Sequence, residues 1–310
     1  MITVTGSLAF DNIMDYPGKF SDHIMPDKIH QINLSFLVTT LKKQKGGTAG
    51  NIAYNLALLQ IPVSIVGMAG IDFSEYAKFL HESGIDTSNI QTAENNLTSS
   101  AFIMTDKTDN QITAFYPGAM EYANRLSLEK IKTDFVVVSP NNPQAMIRFC
   151  SECQESHIPY MFDPGMQLPA LNTGDLKNML NGATILIGND YEISLLKEKL
   201  SLDEEALLNQ VEILITTLGE IGSLVQTKDQ NLQISAGKVT NVVDPTGAGD
   251  AYRAGFLAGF LKNLDLKVCG QMGSIASCYA VEKYGTTSHT FSLEEFKERY
   301  KESFGEDLNI

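Results

Sequence analysis

The chain has 310 residues, of which 43% are hydrophobic, enough to bury a sizeable core and too apolar for a disordered segment. Its formal net charge of -14 argues against DNA or RNA as a partner, because phosphate backbones are held by dense Lys and Arg. An acidic protein can still take a small polyanion where main-chain N–H groups and a metal ion offset the repulsion.

The opening MITVTGSLAFD alternates as a strand does and lacks the charged start of a signal peptide. No apolar run approaches the roughly 20 residues of a membrane span. The expectation is a cytoplasmic protein without membrane contact. Strands are predicted at Ile2 to Leu8, Val63 to Val66, Phe135 to Val138, Tyr160 to Phe162, Thr184 to Ile187, Glu212 to Thr216 and Val239 to Val243. Helical patterns fall between them, at Asn51 to Leu59, Glu75 to Glu82, Gln144 to Glu155, Asp175 to Leu180 and Tyr191 to Leu200. Such alternation means a mostly parallel sheet with helices on both faces, in one unit over residues 1–310. Two stretches break the rhythm. Residues 12–45 hold the mixed run KIHQINLSFLVTTLKKQK, and residues 96–118 read as two strands around a polar turn at Asp106 to Asn110. A small lid beside the main sheet and an ordinary edge hairpin both fit that pattern.

The four cysteines do not make a metal site. Cys150 and Cys153 form one CxxC inside a helical pattern, with His157 a turn further on, but no second pair stands at ligand spacing.

Ligands of an open α/β sheet bind beyond the carboxyl ends of the strands. In this chain those ends carry Asp11, Asn141, Asp163, Gly188-Asn189-Asp190, TTLGEIG and DPTGAGD. Each alone is only turn chemistry; together they describe a polar cleft. The GAGD turn sets successive N–H groups at a helix start with no Cβ at Gly247 or Gly249, so a phosphate can approach while the helix dipole favours its charge. Asp250 beside such a cradle repels phosphate but can take a proton from a hydroxyl that attacks it. GxxxxGK[ST] is absent, and so is GxGxxG, since Tyr252 stands where the third glycine belongs. Neither a P-loop nucleotidase nor a dinucleotide enzyme is supported.

GGTAGNIAYNLALL at Gly46 to Leu59, together with DPTGAGDAYRAGF at Asp244 to Phe256, resembles the paired signatures of the PfkB carbohydrate kinase family, the ribokinase and adenosine kinase group. Order and spacing agree across nearly the whole chain, from GSLAFD through NDYE and TTLGEIG to GAGD. The resemblance implies a ribokinase-like three-layer αβα core, Rossmann-like, with a small β-sheet lid over the substrate. It implies that Asp11, Gly46, Gly47 and Asn51 bind the hydroxyls of a ribose-like ring, with Asn141 nearby. Gly247, Ala248 and Gly249 would form the anion hole and Asp250 would be the base. Asn189 and Glu192 match NxxE, which serves Mg²⁺ through water, although that spacing also suits a plain helix cap. Thr217, Gly219, Gly222, Thr246 and Gly285 would border the nucleotide, and Asp244 would sit by a monovalent cation, K⁺ in many members. ATP is the implied phosphate donor, and lid closure is expected to exclude water.

GGTAGN, AFYPGA and YGTTSH look more like the microbial adenosine kinase-like branch, because ribokinase-like members usually carry lysine where Thr48 stands. Phe36, Phe102, Phe115 and Tyr116 could wall a nucleoside base, or could be hairpin core. Adenosine, phosphorylated at its 5′ hydroxyl, is the expected acceptor, with ribose or another furanose as runner-up. The expected assembly is a monomer or a homodimer through the lid.

Overall fold

A computed structural model describes residues 1–24, 33–108 and 110–310. The chain enters through β1 (Ile2–Thr5) and immediately turns out into β2 (Ala9–Asp15). After β3 (Thr40–Gly46) it returns by α1 (Thr48–Leu58), β4 (Val63–Gly70), α2 (Ser74–Glu82) and β5 (Asp86–Ala93). A second excursion makes β6 (Ser99–Thr105) and β7 (Gln111–Tyr116). From there strands and helices alternate: β8 (Phe135–Val138), α3 (Pro143–Glu155), β9 (Tyr160–Phe162), α4 (Thr173–Leu180), β10 (Ile185–Asn189), α5 (Asp190–Leu200), α6 (Glu204–Leu208) and β11 (Ile213–Thr217). The hairpin β12 (Ser223–Gln226) and β13 (Asn231–Ile234) precedes three helices, α7 (Ala248–Phe260), α8 (Leu266–Val281) and α9 (Leu293–Phe304).

The main sheet runs β13-β12-β11-β10-β9-β8-β1-β4-β5, parallel except at the β11-β12-β13 edge. Its inner strands are buried on both faces because helices cover both, largely by apolar residues with Thr3 and Ser64 bonded to each other inside. Val137 packs among residues of α1, α2 and α7, while its neighbours Val136 and Val138 face α3, α4 and α5. A third cluster joins α8 to α9 through Ile275, Phe296 and Tyr300. The sheet reverses its winding beside β1, which pairs with β4 on one side and β8 on the other. That switch point opens a crevice at the carboxyl edge. Above it stands the smaller sheet, ordered β3-β2-β6-β7.

The fold class read from the sequence is the one observed. Lys28 to Ile32 of the mixed run, and residue 109 of the polar turn, lie outside the described residues. Two strand expectations need correction. The opening strand ends at Thr5, so Asp11 sits within β2 of the smaller sheet rather than in a loop after β1. Residues 239–243 form no strand: Val242 is 64% exposed and Val239 39%, and both face a cavity rather than a neighbouring strand. The β12-β13 hairpin completes that edge instead. Cys150 and Cys153 are buried in the α3 core, where burial pushes the Cys153 thiol up to about 12. No helix among the described residues is long and apolar enough to cross a membrane.

Candidate active site

Two helices that start at the crevice bring distant segments together. Helix α1 begins after Gly47, and α7 begins after Gly247, which caps it at φ 80°. An L side chain rarely adopts that angle, so glycine lets the chain turn into α7, whose first N–H, that of Ala248, donates to the Pro245 carbonyl at 3.2 Å. Between the two helices the Asn51 amide donates from Nδ2 to Asp250 Oδ2 at 2.8 Å, across 199 positions of sequence. The Asn51 amide oxygen is buried and has no hydrogen-bond partner among the described residues, so it remains an acceptor for a substrate hydroxyl. Asn55 steadies this turn of α1, donating to the Asn51 carbonyl and bonding His289 Nε2 through its own oxygen.

Asp250 lies at the floor of the crevice, ringed by protein and partly open on the cleft side. Burial raises its carboxyl to about 6; Arg253 and the Asn51 bond pull it down, and Asp163 and Asp11 push it up. Asp11 stands across on β2, also raised to about 6, first by burial and then by Asp244. The two carboxylates feel each other and both act on Tyr76, whose hydroxyl donates to the Gly46 carbonyl. A Cβ at Gly46 would lie 2.2 Å from Asp11 Oδ2, so any side chain there would push that carboxylate out of its place. Asp11, Gly46, Gly47, Asn51 and Asp250 therefore surround one space.

Asn141 is not part of that lining. It is buried below, its Nδ2 donating to the Gly6 carbonyl and its Oδ1 accepting from the Asn142 N–H. Thr48 is likewise tied into a hydroxyl cluster with Ser7 and Ser139.

On the other side of the anion turn lies an apolar cavity of about 360 Å³. Thr217, Gly219 and Gly222 line it, beside Ala248 and Gly249 at the start of α7, and so do Ala236, Val239, Val242, Tyr252, Cys278 and Val281. Thr246 and Gly285 are not among its walls. The Thr246 N–H donates to Asp244 Oδ1 and the Gly285 N–H to Asp244 Oδ2, so Asp244 fastens two loops. Thr286 then ties the second loop to the lid by donating to the Lys45 carbonyl.

Asn189 and Glu192 form a reciprocal capping box on α5, each accepting from the other's main-chain N–H at 2.8 Å. Burial, and then Asp163, raises the Glu192 carboxyl, with Arg253 opposing. Arg253 went unassigned in the sequence. It is 8% exposed and sits 2.7 Å through Nε from Asp163 Oδ2. Its signal was present: an arginine inside the apolar run AYRAGF has to be paired if it is buried.

The lid register sorts the aromatic candidates. Asp11 pairs with Gln44 and Ala101, and Ala101 with Phe115, so Phe115 shares the Asp11 face. Phe102 pairs with Asn12, and Tyr116 with Ser100, on the opposite face. Phe36 packs with Tyr16 and Phe20 at the far end.

The crevice, with Asp250 at the start of α7 and Asp11 on the smaller sheet opposite, belongs to a ribokinase fold. The chain belongs to the pfkB family of carbohydrate kinases, whose family model matches residues 10–292. It is 30% identical over 300 residues to the nucleoside kinase of Methanocaldococcus jannaschii, covering 96% of each chain. The Burkholderia thailandensis nucleoside kinase solved in complex with inosine superposes with a TM-score of 0.91 at 33% identity, over 99% of both chains. The same enzyme in complex with ADP-inosine gives 0.89 at 34% identity, covering 99% of this chain and 97% of that one.

Proposed function

We propose that the chain transfers the γ-phosphoryl group of ATP to the 5′ hydroxyl of a ribonucleoside, with adenosine as the first candidate and AMP as its product. The observation that carries the reading is the bond between Asn51 and Asp250, which joins the sugar side of the crevice to the acid at the anion turn. In this reading Asp11 and Asn51 hold the ribose hydroxyls, and Gly46 and Gly47 let the ring rest on main chain. Asp250 accepts the 5′ hydroxyl proton as the oxygen attacks, and the amides at Gly247, Ala248 and Gly249 take the charge of the transferred group. Phe115, Ile13 and Ile103, on the Asp11 face of the lid, offer an apolar wall to the base. The relatives named above support a nucleoside, and Thr48 offers no cation to a free sugar.

The apolar cavity suits the adenine and ribose of ATP. A Val239→Trp substitution, at an exposed position, fills it; KM for ATP should rise at least about tenfold while kcat at saturation stays near the parent value.

The donor set fits a magnesium ion delivered with ATP rather than a resident one. Among the described residues no three His, Cys, Asp or Glu side chains gather as a metal site, and Glu192 keeps one carboxylate oxygen beyond its cap. When bound, Mg²⁺ would neutralise phosphate charge. Both Asp244 oxygens are engaged by main-chain donors, so a K⁺ ion would rest mainly on carbonyls.

The direct test is ADP release with Mg-ATP and a panel of adenosine, inosine, guanosine, cytidine, uridine and ribose. A nucleoside, adenosine foremost, should exceed ribose at least about tenfold in kcat/KM. Preference for ribose would replace the nucleoside with a sugar, and silence on every acceptor would remove the kinase reading.

A further inference from the structure

We propose that Arg253 touches the phosphoryl group in transit, as a guanidinium built into helix α7. The inference rests on the phosphotransferase reading of the crevice. Arg253 lies one turn beyond Asp250, so both project from one face of α7. Its side chain bends back toward the start of the helix: a Cβ on Gly249 would meet Nη1 at 2.8 Å. The guanidinium therefore lies against the glycine turn whose N–H groups form the anion site.

A buried arginine with a purely structural task normally spends its fork on a carboxylate through two parallel hydrogen bonds. Here Arg253 meets Asp163 through one nitrogen, Nε, at 2.7 Å, rather than through the fork. Among the described residues no hydrogen bond draws on Nη1 or Nη2. The cation is anchored through Nε while its two terminal nitrogens stay unspent, beside a helix start that favours an anion.

Charge balance points the same way. Arg253 is the cation felt by Asp163, Asp250 and Glu192, three carboxylates around a site that must admit a polyphosphate. During transfer the bond between the γ-phosphorus and its bridging oxygen breaks, leaving ADP. A new bond forms to the acceptor oxygen, whose proton passes to Asp250. Charge spreads over the three equatorial oxygens of the group in flight, and the fork of Arg253 meets it there.

Arg253→Lys and Arg253→Met test this. Lysine keeps a charge for Asp163 but loses the fork, so it guards against a variant that fails to fold. Both should lower kcat by about 10²- to 10³-fold, with the dissociation constant for ADP changed less than about threefold. If Arg253 acted only by keeping Asp250 ionised against Asp163, Asp11 and Glu192, the rate lost at pH 7 would return at pH 9. Persistence of the defect at pH 9 is the expected result. An active parent with a folded Arg253→Lys variant within tenfold of it in kcat, or full recovery at pH 9, overturns the inference alone. A parent that phosphorylates nothing overturns the kinase reading and this inference together.

Discussion

Replacing Asp250 with asparagine should give a protein that is both firmer and nearly inactive. Asparagine keeps an oxygen for the Asn51 amide but cannot take a proton, so kcat should fall by at least about 10²-fold while ADP still binds. The stability change follows from the raised carboxyl, about 6 in the fold against 3.8 for the free side chain. A folded state that holds the proton more tightly gains stability fully below pH 3.8 and loses it as pH rises through about 6. At pH 8 the ionised Asp250 therefore costs the fold about 2 kcal/mol after allowance for its cleft-side exposure. The asparagine variant is relieved of that cost at pH 8 and not at pH 4, so urea midpoints at the two pH values should separate from the parent only at the higher one. If Asp250 is the base, the same proton should set the acid limb of the parent's rate near pH 6. Asp11→Asn removes a repelling neighbour and should move that limb downward. A parent rate that stays flat from pH 7 to pH 5 would take Asp250 out of the role of base.

The residues around Asp250 were readable because short-range rules fix them. A glycine turn before a helix places bare backbone at a helix start in any fold, and polar residues at strand ends converge in any parallel sheet. The failures came where a residue's meaning depends on something distant or absent from the chain. Val239 to Val243 is rich in valine, which in isolation is strand chemistry; Val239 and Val242 instead stand partly exposed at the wall of a cavity. Phe115 and Tyr116, as neighbours in one strand, had to point to opposite faces. Which of them faces the crevice was settled by pairing with Ala101 and, through it, Asp11, over a hundred positions away. Asn141 has the right type in the right place, but its amide is consumed by the main chain it supports. Arg253 was legible only as a problem, a charge in an apolar helix, and its partner Asp163 lies 90 positions earlier, just past the end of β9.

That pair yields the second large effect. Asp163→Ala should destabilise the protein by about 3–5 kcal/mol at neutral pH, because the buried Arg253 then loses the one carboxylate in direct contact with it. Against a typical total of about 5–15 kcal/mol the loss should be plain as a lower urea midpoint with an unchanged slope. Asp163 itself is held above the usual carboxylate range, by burial first, with Arg253 pulling it back, so the pair is a compromise rather than a source of net stability. The double replacement Asp163→Leu with Arg253→Met removes both charges from one small volume and should recover most of the midpoint. A single variant within about 1 kcal/mol of the parent would mean that water or a rearranged Asp250 serves Arg253 equally well. Recovery of stability in the double variant must not bring back turnover, since the guanidinium is missing from the anion turn. A double variant as stable and as fast as the parent would show the arginine to be a counter-ion for Asp163 and nothing more.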